Sequence, residues 1–318
     1  MSTTQTSRLA RRGKEAAAHP AQEARAKADA GSGWYAWLAR GGLVAKGVSF
    51  GIVGILAIGV AAGSAGKATS RQGALQILAQ HTWGTVLLVL LAIGFAGYAI
   101  WRFVQTFAER EEDGGEKGTL KKWGKRAGYI GRGLIYAALT FTTIKILIGS
   151  AGQQSQDEKA QKTTATVLDW PGGRWIVGIA GLCIIGAGLW NFYRGIKKKF
   201  EDNWRTGEMS ELERAWGARA GIAGHLARGL VFSLIGVFVA KAATEYDPKH
   251  AMGLDGALQK LADASYGSFL LALTAAGLLC YGFFCLVDAR YRDVSTNGGS
   301  SGSAHRRQGR QRASAVTS

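Results

Sequence analysis

Proline and cysteine are scarce in this chain of 318 residues, and acidic residues are scarce within its apolar runs. Proline occurs three times, at positions 20, 171 and 248, and never inside a long apolar run. Asp and Glu are also absent from the middle of these runs. Proton- and sodium-coupled transporters typically bury carboxylates and interrupt their helices near the membrane midplane. The composition therefore does not favour an ion-coupled transporter.

The three cysteines and five histidines do not form a recognisable site. Cys183, Cys280 and Cys285 all lie in apolar runs, with spacings that fit neither a disulfide framework nor a tight set of zinc ligands. No HExxH, P-loop or CxxC motif occurs. We expect no metal, no cofactor and no catalytic residue, so an enzyme is the least favoured class.

What the chain has instead is a series of apolar runs. Each is close to the roughly 20 residues that a helix needs to cross a hydrocarbon core of about 30 Å. The six runs span residues 42–63, 85–104, 127–149, 175–193, 222–243 and 268–287. They predict an all-α integral membrane protein with six transmembrane helices.

The basic residues are distributed unevenly between the segments that join these runs. Of 39 Lys and Arg residues, 24 lie in one alternating set of segments and seven in the other. The first set is 1–41, 107–126, 198–221 and 289–318; the second is 64–83, 150–174 and 244–265. This bias follows the positive-inside rule and places both termini in the cytoplasm. It explains the net charge of +17 without a nucleic-acid partner.

An internal repeat organises the chain. Residues 40–50, 126–136 and 222–232 share a pattern of small, basic and aromatic positions at offsets of 86 and 96. A second block aligns Gly94, Gly186 and Gly277, followed four residues later by Tyr98, Trp190 and Tyr281. Each copy holds two runs, so the copies enter the membrane in the same direction. We expect three parallel tandem helical hairpins, arranged as a pseudo-threefold bundle or as an open arc.

The expected segments follow from these patterns. They are a flexible Ala-rich basic tail (1–33), repeat 1 (34–106), a cytoplasmic linker (107–122), repeat 2 (123–197), a second linker (198–215), repeat 3 (216–292) and a disordered basic tail (293–318). Between the two helices of repeats 1 and 3, the similar stretches 73–84 and 256–267 predict short amphipathic helices on the outer surface. Trp83, Trp175 and Tyr266 follow as expected membrane-interface anchors, with a re-entrant loop as the alternative.

Basic residues near the helix ends are the candidate functional groups. Lys46, Arg132 and Arg228 are equivalent in the repeat and lie about one turn inside their runs. They either reach the headgroups separately as anchors or form an anion or lipid-headgroup site. Arg102 and Arg194 are expected to be anchors, and Asp288 an exposed partner of Arg292. The candidate helix-packing positions are Gly47, Gly51, Gly133, Gly229, Phe50, Tyr136 and Phe232.

With these residues the sequence resembles a bacterial membrane family known only as domain of unknown function 1206. Its members carry about three copies of a two-helix unit with an Arg-Gly and aromatic opening. Residues 126–136 fit best, including Arg132, Gly133 and Tyr136, whereas the first copy departs from the pattern with Lys46 and the third with Ile222. The resemblance implies a cell-membrane location and supplies no activity or cofactor.

Two classes of function remain open beside the disfavoured enzyme. One is a structural, interaction or lipid-associated protein of the cell envelope, whose partners are anionic phospholipids or further membrane and cytoplasmic proteins. The other is a channel or transporter for a small solute. A polar, water-filled cavity would favour transport, whereas closure of the bundle by glycine–aromatic packing would favour the first class.

The topology is testable with reporter fusions. Fusions placed after residues 70, 160 and 250 should report a location outside the cytoplasm, and fusions after 115 and 210 a cytoplasmic one, because the basic segments stay inside. Reversal of any one of these five locations would contradict the six-span topology.

Overall fold

The computed structural model describes residues 33–34, 36–63, 71–108, 116–149 and 155–292, and its regular structure there is helical. The helices are α1 (Ala36–Ala61), α2 (Arg71–Ala79), α3 (Thr82–Ala108), α4 (Glu116–Leu147), α5 (Gln156–Leu168), α6 (Gly173–Ile196), α7 (Glu211–Glu245), α8 (Leu254–Ala262) and α9 (Gly267–Tyr291). The tails expected at 1–33 and 293–318 lie outside the described residues, apart from Gly33.

Six of these helices are long and apolar enough to cross a membrane: α1, α3, α4, α6, α7 and α9. The prediction of an all-α fold with six spanning helices is confirmed. We call the end at which α1, α4 and α7 begin the proximal end, and the opposite end the distal end. The threefold relation between the repeats stays a prediction.

Two helices begin earlier than the apolar runs indicate. α4 begins at Glu116 and α7 at Glu211, inside the segments interpreted as linkers 107–122 and 198–215. The Ser210 side chain accepts a hydrogen bond from the backbone N–H of Glu213, and the Glu213 carboxylate accepts one from the backbone N–H of Ser210. This pair of hydrogen bonds is a capping box. The cap starts α7 three turns before its apolar stretch, so α4 and α7 extend into the two segments interpreted as linkers.

The remainder of the second linker packs into the bundle. Phe200 and Trp204 are buried in the main hydrophobic core. Phe200 lies 5.1 Å from Phe284 and 5.2 Å from His225, measured between ring centroids. Burial of two large aromatic side chains outweighs the surrounding charge, because each removes about 150–250 Å² from water. The segment therefore covers the proximal end of α7 and α9.

The short helices α2, α5 and α8 occupy the distal end. Leu75, Leu78, Leu258 and Leu261 are buried rather than spread over an outer surface, and the last two belong to the main core. The carboxylate of Asp157 in α5 accepts hydrogen bonds from two backbone N–H groups at the start of α8, at 2.6 and 3.1 Å. This contact links repeats 2 and 3.

Glycines set the spacing between the helices of repeats 1 and 3. A Cβ atom added at Gly42 would lie 2.4 Å from Tyr98, and one added at Gly224 would lie 2.6 Å from Tyr281. These contacts join α1 to α3 and α7 to α9. The observed backbone approach is open only to a residue without a Cβ.

Further contacts join neighbouring repeats. α3 packs extensively against α4, and α6 packs against α7. The last spanning helix also meets the first, since a Cβ at Gly54 would lie 2.8 Å from the backbone nitrogen of Leu279 in α9. The contacts thus run in the order α4, α3, α1, α9, α7 and α6.

Repeat 2 differs because its two long helices are not among the extensively packed pairs of the described chain. A Cβ at Gly128, Gly131 or Gly186 would meet no atom within 4 Å, although the glycines equivalent to Gly128 and Gly186 in the other repeats are tightly packed. Trp190 is 57% exposed, whereas its equivalents Tyr98 and Tyr281 are 1% and 2% exposed. We call the open face bordered by Gly128, Gly131, Gly186 and Trp190 the α4–α6 seam.

The equivalent glycines offer a matched test of this difference. Alanine in a helix interior gains about 0.5–1 kcal/mol over glycine, whereas overpacking costs about 1–3 kcal/mol. We expect Gly224→Ala to lower the thermal unfolding midpoint in detergent, and Gly128→Ala to leave it unchanged or raise it. Similar destabilisation by both substitutions would show that the hairpin of repeat 2 is also closed.

Candidate functional site

The site begins with two tyrosines held by the packed hairpins. Tyr98 and Tyr281 lie against Gly42 and Gly224, so each ring is fixed beside a helix that carries a basic residue one turn later. The Nζ of Lys46 lies 5.0 Å from the Tyr281 ring centroid and 5.9 Å from that of Tyr98. Cations over aromatic faces are attracted by the ring quadrupole. Lys46 therefore stands between the tyrosines of repeats 1 and 3.

Arg228 meets the same ring as Lys46. Its guanidinium carbon lies 4.4 Å from the Tyr281 centroid, and its Nη1 donates a hydrogen bond to the Tyr281 hydroxyl. The anchoring interpretation expected separate side chains that reach the headgroups independently. Instead, Tyr281 gathers the basic residues of two repeats at one place in the structure.

Arg102 is buried more deeply than an anchor would be. Its side chain is 6% exposed and donates to the Tyr98 hydroxyl and to Gln105 Oε1, both at 2.6 Å. The guanidinium carbon lies 5.7 Å from the Tyr129 ring centroid of α4. Its Nε has no hydrogen-bond acceptor among the residues that the structure describes. The interpretation of Arg102 as an interfacial anchor was wrong because Tyr98 and Trp101 draw its side chain into the bundle.

Arg132 and Arg194 complete the basic group from repeat 2. Arg132 interacts electrostatically with Arg102 and Arg228, and Arg194 interacts with Arg132 and Arg292. Neither side chain makes a hydrogen bond or an ion pair within the part of the chain that the structure describes. We call Lys46, Arg102, Arg132, Arg194, Arg228 and Arg292 the basic cluster.

Repeat 2 offers Arg132 no counterpart of the contact that Arg228 makes in repeat 3. Repeat 3 offers Arg228 the Tyr281 hydroxyl, which accepts a hydrogen bond. The equivalent residue in repeat 2 is Trp190, whose indole N–H only donates. A guanidinium group also only donates, so Arg132 cannot repeat the arrangement of Arg228.

One carboxylate faces the basic cluster among the described residues. Asp288 is 2% exposed, accepts from the Trp204 indole N–H at 3.0 Å and pairs with Arg292 at 3.3 Å. The expected pairing is present, but the expected exposure was wrong, because Trp204 covers the carboxylate. Six cations against one carboxylate leave this region strongly positive.

His225, one of the five histidines that form no recognisable motif, is buried beside the basic cluster. Its ring is buried, with Nδ1 2.7 Å from the Gly221 carbonyl oxygen, and it interacts electrostatically with Arg194 and Arg228. The stacking of Phe200 on the ring accounts for the burial. Sequence reasoning could have found this from the two aromatic residues in the adjacent polar segment.

The candidate packing residues have varied surroundings. A Cβ at Gly47 would lie 2.8 Å from the Gly282 oxygen, and one at Gly133 or Gly229 would lie 3.0 Å from a phenylalanine ring. These three glycines thus lie between repeats, and Gly51 does so as well, since a Cβ at Gly282 would lie 2.9 Å from the Gly51 backbone nitrogen. Phe50 packs edge-on against Tyr281, Tyr136 lies 4.3 Å from Tyr98 between centroids, and Phe232 is partly buried beside the core.

The segment from Gly47 to Gly51 also matches the GxSxG pattern of hydrolase nucleophiles. That chemistry needs a strained strand-to-helix turn with an exposed serine. Here the five residues lie within α1, and the buried Ser49 hydroxyl donates to the Lys46 carbonyl oxygen at 2.8 Å. The segment therefore serves helix packing.

The buried carboxylate can be tested directly. Asp288→Asn should reduce the free energy of unfolding by about 3–5 kcal/mol, because it leaves the Arg292 charge buried without its partner. Asp202→Asn is the matched control: its pair with Lys199 at 3.7 Å is exposed, so we expect a loss below about 1 kcal/mol. Denaturant titration in mixed micelles measures both; equal effects would contradict the burial of Asp288.

Comparisons with known proteins agree with the repeat structure. The chain is 30% identical to the uncharacterised protein YxxB of Bacillus subtilis (strain 168) over 262 residues. The aligned region covers 82% of this chain and 93% of that protein. No solved structure matches. The family model described as Domain of Unknown Function (DUF1206) matches residues 41–109, 127–198 and 223–292, one match for each two-helix repeat. The resemblance stated from the sequence is thus confirmed, and the chain belongs to the DUF1206 family.

Proposed function

We propose that this protein is a structural, lipid-associated protein of the bacterial cell membrane, which holds an anion of the phosphate type at the basic cluster. The observation that carries the proposal is the charge of this cluster. Six cations interact with Tyr98 or Tyr281, and Asp288 is the carboxylate that faces them in the described part of the chain. Planar guanidinium groups match the oxygens of a phosphate, which suits such a ligand.

The energetic reason for an anion is mutual repulsion. Two like charges 10 Å apart repel by about 1.7 kcal/mol at an effective dielectric constant of 20, and each further cation adds similar pairs. Arg132 and Arg194 have no neutralising partner within the described residues. A bound anion would convert several repulsive pairs into attractive ones.

The distribution of Lys and Arg indicates which side of the membrane the proposed site faces. The segments rich in Lys and Arg join helices at the proximal end, so the positive-inside rule favours a cytoplasmic location for that end and for both termini. The cytoplasmic leaflet carries anionic lipids that attract basic groups. The proposed site would face the leaflet in which such headgroups are available.

The packing supports a binding role over transport. Tyr98, Tyr281, Phe50 and Tyr136 fill the space between the helices with ring contacts of 4.3 to 4.9 Å. This is the glycine–aromatic closure expected of a structural or lipid-associated protein rather than a water-filled pathway. The assembled side chains hold and neutralise charge and carry out no chemical reaction.

The test is the double variant Arg132→Gln, Arg228→Gln. Each charge-assisted contact contributes about 1.5–3 kcal/mol, and 1.4 kcal/mol corresponds to tenfold, so bound phosphatidylglycerol should fall at least about tenfold. Native mass spectrometry of purified protein measures it. Arg219→Gln is the control, since Arg219 lies beside Trp216 outside the cluster and should change little. Unchanged bound lipid and unchanged thermal stability in the double variant would refute the site.

A further inference from the structure

The α4–α6 seam is open in repeat 2, whereas the equivalent helix pairs of repeats 1 and 3 are closed. Gly128, Gly131 and Gly186 border free space, although their equivalents are closed against a neighbouring helix. Trp190 and Tyr193 are 57% and 43% exposed along it. The lining is apolar and aromatic, which suits a hydrocarbon chain.

Cations without a hydrogen-bond or ion-pair partner among the described residues flank the seam, Arg132 one turn toward the distal end and Arg194 one turn toward the proximal end. Arg132 follows Gly128 by one turn on α4, Arg194 follows Trp190 by one turn on α6, and the two interact electrostatically. Arg102 is more than nine-tenths buried, reaches the Tyr129 ring next to Gly128 and has an Nε without an acceptor. An apolar opening therefore leads to guanidinium groups that keep N–H donors without an acceptor in the described part of the chain.

We infer that the α4–α6 seam receives an acyl chain of an anionic glycerophospholipid whose phosphate is held by the basic cluster. This inference rests on the proposed function and adds the identity and approach of the ligand. The lipid would enter sideways from the bilayer between α4 and α6. It would supply the acceptor that Trp190 cannot offer to Arg132.

The dimensions fit one leaflet. From Arg132 to the end of α4 at Leu147 the helix rises about 22 Å at 1.5 Å per residue. One leaflet contributes about 15 Å of hydrocarbon. An acyl chain attached to a phosphate near Arg132 thus has apolar helix surface beside it along its whole length.

Charge distinguishes this ligand from the two other possible occupants. A second copy of the chain in an isologous contact would bring its own Arg132 and Arg194 to the same face, which adds repulsion. A free phosphate would neutralise the cations but leave the apolar lining uncovered. An anionic amphiphile satisfies both parts of the site.

The experiment fills the seam without touching the cations. Gly128→Leu, Gly186→Leu adds bulk where the structure has open space, and Gly41→Leu is the matched control at an open glycine of α1. Delipidated protein is titrated with phosphatidylglycerol, phosphatidylcholine and inorganic phosphate, with bound lipid and thermal midpoint as readouts. We expect phosphatidylglycerol binding to fall at least about tenfold in the seam variant alone, with any midpoint shift by phosphate retained.

The outcomes separate this inference from the proposed function. Normal phosphatidylglycerol binding to the seam variant, with loss in Arg132→Gln, Arg228→Gln, would overturn the seam and leave the headgroup site. Stabilisation by phosphate alone, without phosphatidylglycerol binding, would identify a free anion and also overturn it. No response of the parent protein to either anion would overturn both proposals.

A second measurement uses the unaltered protein, so a folding defect of the variant cannot affect its result. Phosphatidylglycerol with a photoreactive acyl chain is crosslinked to the unaltered protein, and the labelled peptides are mapped. We expect labels within 128–135 and 186–193, and few at the equivalent residues 94–101 and 277–284, which are packed. Equal labelling of all three repeats would contradict a specific seam.

Discussion

The close approach of the tyrosine-bearing helices at Gly42 and Gly224 is the constraint on which the rest of this structure depends. Lys46 and Arg228 share the face of one tyrosine, and Arg102 is fixed to another. Their positions follow from the glycines that allow these tyrosine-bearing helices to approach. Asp288 offsets only part of the charge. The same glycines therefore account both for the close packing of the helices and for the repulsion among the cations.

The sequence predicted the number of spanning helices and the repeat, because both depend on run length and residue type. It did not predict the burial of Phe200, His225 and Asp288, since these depend on a polar segment that folds back over the helix ends. The start of α7 was predictable in principle, because Ser210 and Glu213 have capping-box spacing. For the basic triplet, residue types indicated an anion or an anchor, but only the packing shows which rings the side chains meet.

The three repeats show that a shared motif does not guarantee a shared interface. Gly128 and Gly186 retain the small residues of the pattern, yet their helices are not closed on each other. Repeat 2 departs at the contact itself, where Trp190 replaces tyrosine and Gly131 replaces the alanine found at Ala45 and Ala227. A tyrosine hydroxyl can accept a hydrogen bond from arginine, whereas an indole cannot.

The opening between α4 and α6 also determines which concentration sets the occupancy of the site. A molecule that reaches this face from the bilayer diffuses in two dimensions and never passes through water. Its occupancy then depends on its mole fraction in one leaflet rather than on an aqueous concentration. A shift in leaflet composition would change the fraction of occupied protein even if the total amount of lipid in the cell stayed constant.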